Sequence, residues 1–484
     1  MIINRILLPC SALLWLATCL CASPAQRPPT AQPDVLDEEE PATRPTTLPL
    51  QFNYKGREAD APWRKEAQAR IDKFRKADLS IVVNDVAGKP VSGADVSVKM
   101  KQHAFTWGAA TRVPLIVDNA TLKLGPGLTM PDKAAINKYQ EILPSLFNRS
   151  GLINDLRDDW VSVNQGEITR AIDWLRSHDM RVRGYALVWP DWGHSKWAAK
   201  FKDRDSLNKE IANRITAKVG ALKGKVDEWD VVTEAKNNVT SPNSLFVMAG
   251  GADALTEWCK VARQADPNAK LFVTDDGVLD SNTTRTWQNK TGKPTYVWNA
   301  DTVYGYLQQM VSKQAPFDGI GFEGHFKQLA FLTPPEELYS RLERFAALGK
   351  NLAITELEVA VPDPKDEKQA ALQADYTRDL LTVFFSHPKI VEVSFWAIWE
   401  PEARKNSSAL FRADGSAKPN GQATIDLLRK QWWTDLTGKT DNDGKFNTRA
   451  FLGKYELTVT SAAKTKTISA DLSPEARAIV VKLE

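Results

Sequence analysis

Residues 226–234 read Val-Asp-Glu-Trp-Asp-Val-Val-Thr-Glu, an apolar, β-branched run that ends in a glutamate. A helical pattern follows over Ala252–Ala265, and a second apolar run occupies Lys270–Thr274. A strand, a helix and another strand in this order are typical of a parallel sheet whose crossovers are helices. This stretch therefore predicts one repeating unit of an α/β fold.

The same alternation extends in both directions from this unit. The runs that predict strands are Phe105–Thr111, Leu146–Asn148, Arg183–Trp189, Val226–Thr233, Lys270–Thr274, Gly319–Phe322, Asn351–Thr355 and Val391–Trp396. The patterns that predict helices are Glu167–His178, Ser206–Leu222, Ala252–Ala265, Asp301–Gln314, Pro335–Leu348, Lys368–Ser386 and Gly421–Lys430. Eight strands with helical crossovers predict a (β/α)8 TIM barrel at residues 103–431, in which reactive groups lie at the carboxyl ends of the strands.

Smaller segments flank the predicted barrel. Alternating strands around turn residues predict a small β module at 63–102 and another at 432–484. Residues 26–62 are rich in proline and acidic side chains, which is typical of a disordered linker. Residues 1–25 combine a single charge, Arg5, with the apolar run Ile6–Leu20, and this pattern predicts a secretory signal peptide rather than a membrane span. We therefore expect a secreted protein, whether its destination is the periplasm, the medium or the cell surface.

The charge balance limits the class of partner. The 484 residues include 63 Lys and Arg against 60 Asp and Glu, a formal net charge of +3. So small an excess gives no electrostatic reason to expect nucleic acid or an anionic membrane as the main partner. Outside the predicted signal peptide the chain keeps one cysteine, Cys259, so it has no internal disulfide. We expect a monomer that acts on a neutral ligand and uses no cofactor or metal.

Two carboxylates close predicted strands. Glu234 ends the fourth strand and Glu356 ends the seventh, in Leu352-Ala-Ile-Thr-Glu356. In a barrel these two strands face each other across the mouth, which is the arrangement that glycosidic cleavage by two carboxylates needs. One such glutamate is ordinarily a surface residue, whereas two on opposed strands favour catalysis.

Aromatic side chains near other strand ends support a sugar ligand, because the C–H faces of sugar rings pack on flat side chains. These residues are Trp189, Trp192, Trp197, Trp287, Trp298, Trp396 and Trp399. His325 ends the sixth strand, beside the strand of Glu356, and is either a site residue or a structural histidine.

Seven segments, in this order along the chain, resemble glycoside hydrolase family 10, the endo-β-1,4-xylanase family, and more specifically its multidomain members with an N-terminal β module. The segments are His103-Ala-Phe-Thr-Trp-Gly, Phe147-Asn-Arg with Asn154, Arg183-Gly-Tyr-Ala-Leu-Val-Trp, Trp229-Asp-Val-Val-Thr-Glu, Gly319-Ile-Gly-Phe-Glu-Gly-His, Ile354-Thr-Glu-Leu-Glu and Asp414-Gly-Ser-Ala-Lys-Pro.

The resemblance implies a retaining double displacement on a polysaccharide, with xylan as the default substrate. Glu356 is then the nucleophile and Glu234 the acid and base, a division of roles that requires their pKa values to differ. By the same resemblance His325 binds the nucleophile and Glu358 orients the imidazole. Asn154, Trp189 and Trp396 match positions that contact the sugar.

Other positions depart from the family pattern. Thr233 stands where the family has the asparagine that binds the sugar 2-hydroxyl, Arg157 replaces a lysine and Tyr185 a histidine. Glu323 replaces a glutamine and adds a third carboxylate two residues from His325, where repulsion between like charges should raise one neighbour's pKa. The sugar specificity is therefore expected to differ from that of a standard xylan site.

Two other classes of function stay open from the sequence. A carbohydrate-binding protein that kept the barrel but lost turnover is consistent with the altered sugar contacts. A metal-dependent barrel hydrolase is the more distant alternative, because no His-x-His or other clustered ligand set stands at the predicted strand ends.

Overall fold

The computed structural model describes residues 53–124, 128–152, 156, 165–190, 196–238, 244–280, 285–288, 294–297, 299–327, 332–403, 407–462, 464–475 and 477–484. The strands are β1 (Lys76–Asn84), β2 (Asp95–His103), β3 (Thr106–Thr111), β4 (Arg149–Leu152), β5 (Arg181–Gly184), β6 (Glu228–Thr233), β7 (Lys270–Asp275), β8 (Arg285–Gln288), β9 (Pro294–Val297), β10 (Gly319–Phe322), β11 (His325–Phe326), β12 (Asn351–Val359), β13 (Ile390–Phe395), β14 (Asp435–Lys439), β15 (Lys445–Phe451), β16 (Gly453–Ser461), β17 (Lys464–Leu472) and β18 (Ile479–Lys482).

The helices alternate with the barrel strands along most of the chain. They are α1 (Pro62–Phe74), α2 (Val113–Ile116), α3 (Lys133–Leu146), α4 (Gln165–Ser177), α5 (Arg204–Ala221), α6 (Leu245–Ala249), α7 (Ala252–Ala265), α8 (Asn299–Ser312), α9 (Pro335–Ala346), α10 (Glu367–Ser386) and α11 (Pro419–Asp426). Short 3₁₀ turns are present at Lys196–Lys200, Ala235–Asn238 and Glu400–Glu402, and a π-helical turn at Leu427–Gln431 continues α11. Over the described ranges, no helix is long and apolar enough to cross a bilayer.

Eight parallel strands close into a barrel in the order β3, β4, β5, β6, β7, β10, β12 and β13. The ring closes where β13 pairs in parallel with β3, with Val393 opposite Trp107. The predicted (β/α)8 barrel is therefore confirmed. In such a barrel the carboxyl ends of all eight strands open on one face, which is where a site is expected.

The first crossover differs from the sequence prediction. The strand predicted at Leu146–Asn148 is wrong, because Leu146 ends α3 and β4 begins at Arg149. The sequence analysis missed α3 altogether, and its Pro144 reads as a helix breaker. In the structure the Asp132 side chain caps α3 by accepting from the Ala135 N–H, and Tyr139 and Leu143 pack inward one turn apart.

The segments 63–102 and 432–484 share two sheets. The first sheet has the order β15, β1, β18, and the second has the order β14, β2, β16, β17. Each sheet therefore joins a strand from before the barrel to strands from after it, so the two segments form common sheets rather than two independent ones. The division of the chain into five segments is otherwise a prediction.

The residues just before the barrel bind to its outer surface. Tyr54 is buried and donates a hydrogen bond to Asp379 of α10 at 2.6 Å, and Arg64 of α1 reaches the same carboxylate at 2.7 Å. Arg57 pairs with Asp375, one turn earlier on α10. Residues 53–62, which the sequence analysis assigns to a disordered linker, are thus fixed to the barrel by hydrogen bonds and ion pairs.

We predict that Asp379→Ala destabilises the fold strongly, because it leaves the Tyr54 hydroxyl and the Arg64 guanidinium without their buried acceptor. Breaking a buried charge pair of this kind costs about 3 kcal/mol in the free energy of unfolding. The matched control is Asp375→Ala, a half-exposed partner of Arg57, with an expected loss below about 1 kcal/mol. Urea unfolding measures both, and equal losses would show that Asp379 does not anchor the N-terminal segment.

Candidate active site

Glu234 and Glu356 both lie at the carboxyl side of the barrel. Glu234 follows β6 directly and has a φ of +50°, a left-handed conformation that is uncommon for a residue other than glycine. Its N–H donates to the Thr274 carbonyl at 3.1 Å, which fixes the turn. Glu356 lies in β12 where the register with β13 shifts between Ile354 and Leu357. Such irregularities re-aim side chains, and strain of this kind is typical of functional sites.

His325 lies among three carboxylates. Its Nε2 is 3.0 Å from Glu356 Oε2 and 3.6 Å from Glu323 Oε2, and its Nδ1 is 2.7 Å from Glu358 Oε1. Lys327 Nζ lies 3.0 Å from the same oxygen of Glu358. The parallel pairing of β11 with β12 puts His325 opposite Glu358, so the backbone register itself sets this contact. The roles that the family resemblance implies for His325 and Glu358 stay a prediction.

The pKa values of the site's groups are pushed apart. Burial and the neighbouring charge of Glu356 raise the pKa of Glu234 to about 7. Burial opposes the charged imidazole of His325, but the three neighbouring carboxylates of Glu323, Glu356 and Glu358 outweigh it and raise its pKa. Burial also works against ionised Glu358, yet His325 and Lys327 lower its pKa to about 2. Glu234 is thus suited to deliver a proton near neutral pH.

Glu323 and Thr233 form a direct pair beside these groups. The Thr233 hydroxyl donates to Glu323 Oε1 at 3.0 Å, and both side chains are buried. Burial and the charge of Glu356 raise the pKa of Glu323 to about 8. The sequence predicts that a third carboxylate raises the pKa of a neighbour. The structure shows this effect on the pKa of Glu323 itself, which is the most buried of Glu323, Glu356 and Glu358.

The structure describes some of the other predicted sugar contacts and not others. Tyr185 and Trp396 meet edge to face with ring centroids 5.9 Å apart, and Trp396 is 6.0 Å from the ring of His325. Trp189 is half-buried and follows Val188, which bridges to Val232 of β6. Asn154 and Arg157 lie outside the described residues, so their placement beside the sugar stays a prediction.

Two of the tryptophans expected at the sugar site serve packing instead. Trp399 is 1% exposed and packs against Tyr139 with ring centroids 5.2 Å apart. Trp197 lies under the guanidinium of Arg214 at 4.0 Å. Their position near a strand end in the sequence does not distinguish these two packing residues from Trp396, which lies at the site. The side chains of Trp192, Trp287 and Trp298 lie outside the part of the chain that the structure describes.

The sequence analysis missed a cluster that adjusts Glu234. Lys236 Nζ lies 3.3 Å from Asp275 Oδ1, and the Tyr306 hydroxyl donates to Asp275 Oδ2 at 2.8 Å. The charge of Asp275 raises the pKa of Glu234, after burial and Glu356, whereas the charge of Lys236 lowers it. Asp275 ends β7, so the same strand-end rule that found Glu234 applies to it.

A buried ion network lies inside the barrel beneath the site. Arg183 of β5 donates through Nε to Asp230 at 2.6 Å and lies 3.0 Å from Glu392. Arg149 of β4 pairs with Glu392 from the other side. Within this network, Arg183 is the cation whose charge acts on Glu356, the proposed nucleophile.

Glu323, His325 and Glu356 also form a set with metal-ligating atoms. Each offers one ligand atom, and the three atoms lie within 4.8 Å of one another. The statement that no clustered ligand set stands at the strand ends is therefore wrong, because it relied on sequence spacing, whereas Glu323 follows β10, His325 lies in β11 and Glu356 lies in β12. His325 Nε2 already contacts both carboxylates, so proton sharing accounts for the cluster without an ion.

A closed (β/α)8 barrel with two glutamates at its strand ends, one of them in contact with a histidine, is an arrangement typical of glycoside hydrolases. Within this class, the sequence model of glycosyl hydrolase family 10 matches residues 119–427. The match covers more than half of the chain, and the chain therefore belongs to glycosyl hydrolase family 10.

The chain is also similar to individual proteins. The chain is 26% identical over 411 residues to anti-sigma-I factor RsgI6 of Acetivibrio thermocellus, covering 84% of this chain and 47% of the relative. It is 26% identical over 433 residues to endo-1,4-beta-xylanase 1 of Arabidopsis thaliana, covering 87% and 40%. The chain thus spans less than half the length of these two relatives. The solved structure of native xylanase 10B from Thermotoga maritima shares the fold with a TM-score of 0.56 at 22% identity, over 68% of this chain and 96% of that one.

We predict that Asp275→Asn lowers the pKa of Glu234 and that Lys236→Met raises it, because the two side chains act on Glu234 with opposite signs. Glu234 should therefore lose its proton at a lower pH in Asp275→Asn and at a higher pH in Lys236→Met than in the wild-type chain. Carbon NMR titration of the Glu234 carboxyl measures both shifts directly. Shifts in the same direction would mean that a structural change, and not charge, dominates.

Proposed function

We propose that the chain is a secreted retaining glycoside hydrolase that cleaves β-glycosidic bonds in a polysaccharide of the xylan class. The observation that carries the proposal is the pair of glutamates at strand ends in different protonation environments. Glu234 holds a proton to about pH 7, while Glu356 is oriented by His325. Membership of glycosyl hydrolase family 10 and a relative named as an endo-1,4-beta-xylanase support the proposal.

The proposed reaction has two displacements. In the first, a Glu356 oxygen attacks the anomeric carbon, the glycosidic C–O bond breaks, and the leaving oxygen takes the proton of Glu234. In the second, Glu234 takes a proton from water, whose oxygen attacks the anomeric carbon and releases Glu356. Both glutamates return to their starting state, and the balance is one water consumed for each bond cleaved.

His325 supports both steps by holding one oxygen of Glu356 at 3.0 Å. The imidazole is itself held through Nδ1 by Glu358, whose carboxylate stays ionised. This chain of contacts fixes the orientation of the nucleophile and partly balances its charge. Arg183 adds positive charge from below.

The aromatic contacts and the relatives both support a sugar substrate of the xylan class. Trp396 presents a ring next to His325, where a sugar ring can pack. A relative of known structure, xylanase 10B of Thermotoga petrophila, was solved in complex with xylobiose. Thr233 is buried and its hydroxyl is used by Glu323, so recognition of the sugar next to the cleaved bond is expected to differ.

A catalytically weakened carbohydrate-binding protein on the same barrel is the second candidate. The Thr233–Glu323 hydrogen bond favours it, because the family's contact to the sugar 2-hydroxyl strengthens in the transition state and here the hydroxyl points to another protein group. This candidate predicts saturable oligosaccharide binding without product.

We predict that the purified full chain releases sugars from one member of a panel of xylan, arabinoxylan, glucan and aryl β-glycosides. Glu234→Ala and Glu356→Ala should each lower turnover by about 100-fold or more, since each removes a group that bonds to or protonates the reacting atoms. With an activated aryl glycoside, azide should rescue the two variants with opposite stereochemistry. Azide replaces the nucleophile in Glu356→Ala and gives the α-glycosyl azide, whereas it attacks the glycosyl-enzyme in Glu234→Ala and gives the β-glycosyl azide.

The stereochemistry of rescue decides the roles of the two glutamates. The same anomer from both variants would contradict a retaining double displacement. A further outcome is that the wild-type chain binds oligosaccharides in calorimetry and forms no product from any panel member. This result would reject the hydrolase and support the carbohydrate-binding protein.

Secretion is part of the proposal and rests on residues 1–25, which lie outside the described part of the chain. We predict that export in a bacterial host removes this segment. Intact-mass measurement of the exported protein tests it, and a mass that still includes residues 1–25 would contradict cleavage of a signal peptide.

A further inference from the structure

Glu323 is a buried carboxylic side chain to which the two-step reaction gives no role. It directly follows β10, is 2% exposed, and its N–H donates to the Asp275 carbonyl at 3.0 Å. Its two oxygens face different neighbours. Oε1 accepts from the Thr233 hydroxyl, and Oε2 lies 3.6 Å from His325 Nε2.

The imidazole of His325 can satisfy only two of its three carboxylates. Its Nδ1 faces Glu358, and its single Nε2–H has two candidate acceptors, of which Glu356 is nearer at 3.0 Å. With that hydrogen given to Glu356, ionised Glu323 would be a second anion beside the nucleophile in a site shielded from water. Two carboxylates that share such a site do not both ionise easily, and one of them keeps a proton.

The geometry assigns the proton to Glu323. Glu356 is the nearer acceptor for the Nε2–H of His325, and the positive charge of Arg183 acts on it as well. For Glu323 the short contact is the Thr233 hydroxyl, and a neutral carboxylic acid can accept this hydrogen bond as well. A neutral Glu323 therefore costs no hydrogen bond and removes one buried charge.

We propose that Glu323 is a positioning residue that acts as the neutral carboxylic acid, leaves the Nε2–H of His325 to Glu356, and stops hydrolysis when it ionises. Loss of its proton to solvent creates a second anionic acceptor 3.6 Å from Nε2. This acceptor competes with Glu356 for the single hydrogen and releases the nucleophile from its fixed orientation. The functional part of this inference rests on the proposed hydrolase activity.

The groups around Glu323 come from several elements of the barrel. They are Tyr185 after β5, Glu234 after β6, Asp275 at the end of β7, Tyr306 on α8, His325 on β11 and Glu356 on β12. Burial and the charge of Glu356 raise the pKa of Glu323, the charge of Glu234 raises it further, and His325 lowers it, with a result of about 8. The neutral form is therefore present below that pH and is lost as the pH rises through it.

The test is the pH dependence of Glu323→Gln, in which an amide of the same shape replaces the acid and cannot ionise. In the wild-type chain both Glu234 and Glu323 lose a proton as the pH rises, so kcat/KM should fall by about 100-fold for each pH unit above both pKa values. In Glu323→Gln only Glu234 titrates, and the fall should be about 10-fold for each unit. Below pH 6 the variant should stay within about threefold of wild type, because the amide keeps an acceptor for Thr233.

Glu402→Gln is the matched control. Glu402 is a second buried glutamate, with a pKa raised by burial to about 8, but it contacts Tyr139 and the N–H groups of Ile398 and Trp399 rather than the site. This variant should keep the steep wild-type fall. Circular dichroism at each pH separates loss of activity from unfolding, and EDTA in all buffers excludes a contribution from bound cations.

A spectroscopic measurement makes the test independent of turnover. Infrared difference spectra of the wild-type chain between pH 6 and pH 9 should contain a carboxylic acid C=O band that is absent from Glu323→Gln and present in Glu402→Gln. If no panel substrate is cleaved but this band is found, the proposed hydrolase fails while the protonation of Glu323 stands.

Three results would overturn the inference. The first is a Glu323→Gln profile as steep as that of wild type, which would mean that its proton does not control activity. The second is a folded Glu323→Gln chain that is inactive at every pH, which would mean that the charged form is required. The third is the absence of the Glu323 band, which would mean that the side chain does not lose a proton between pH 6 and pH 9.

Discussion

Buried negative charge is the constraint on which the rest of the structure depends. The barrel interior holds Glu228, Asp230 and Glu392, and the mouth above them holds Glu356, Glu323 and Glu358. A carboxylate out of water must be paired or must keep a proton. The cations that meet this demand are few: Arg149 and Arg183 inside the barrel, and His325 and Lys327 at the mouth. Because the six carboxylates outnumber these four cations, some carboxyl groups at the site must keep a proton.

The strands must approach closely for these charges to meet. At Gly184, which adjoins Arg183, a Cβ atom would lie 2.1 Å from the ring of Trp229, so any side chain would displace β5 from β6. At Gly321 a Cβ would lie 2.1 Å from the Thr274 hydroxyl, which itself donates to Asp230. The ion network and the backbone spacing are therefore parts of one packing solution. Outside the barrel, strands that precede it and strands that follow it complete the two flanking sheets.

The sequence predicted the barrel because alternation of strands and helices is a local pattern, and it located Glu234 and Glu356 because the strand-end rule needs only strand order. The shared sheets lay beyond its reach, because β1 pairs with β15 across most of the chain length and no local pattern encodes that pairing. Trp399 and Trp396 are three residues apart, and only the packing of Tyr139 from α3 separates the buried ring from the one at the site. The influence of Lys236 and Asp275 on Glu234 depends likewise on contacts between neighbouring strands.

Thr233 and Glu323 are best understood as one change rather than two. The hydroxyl of Thr233 donates to Glu323 Oε1, so a direct hydrogen bond joins the two positions. This bond takes the hydroxyl away from the sugar and at the same time holds the extra carboxyl beside His325. Compared with the family pattern, the site thereby lacks one direct sugar contact and has an additional protonatable group next to Glu356, the proposed nucleophile. Under the proposed function, sugar recognition is therefore expected to depend on the paired rings of Tyr185 and Trp396 more than on a hydrogen bond from position 233.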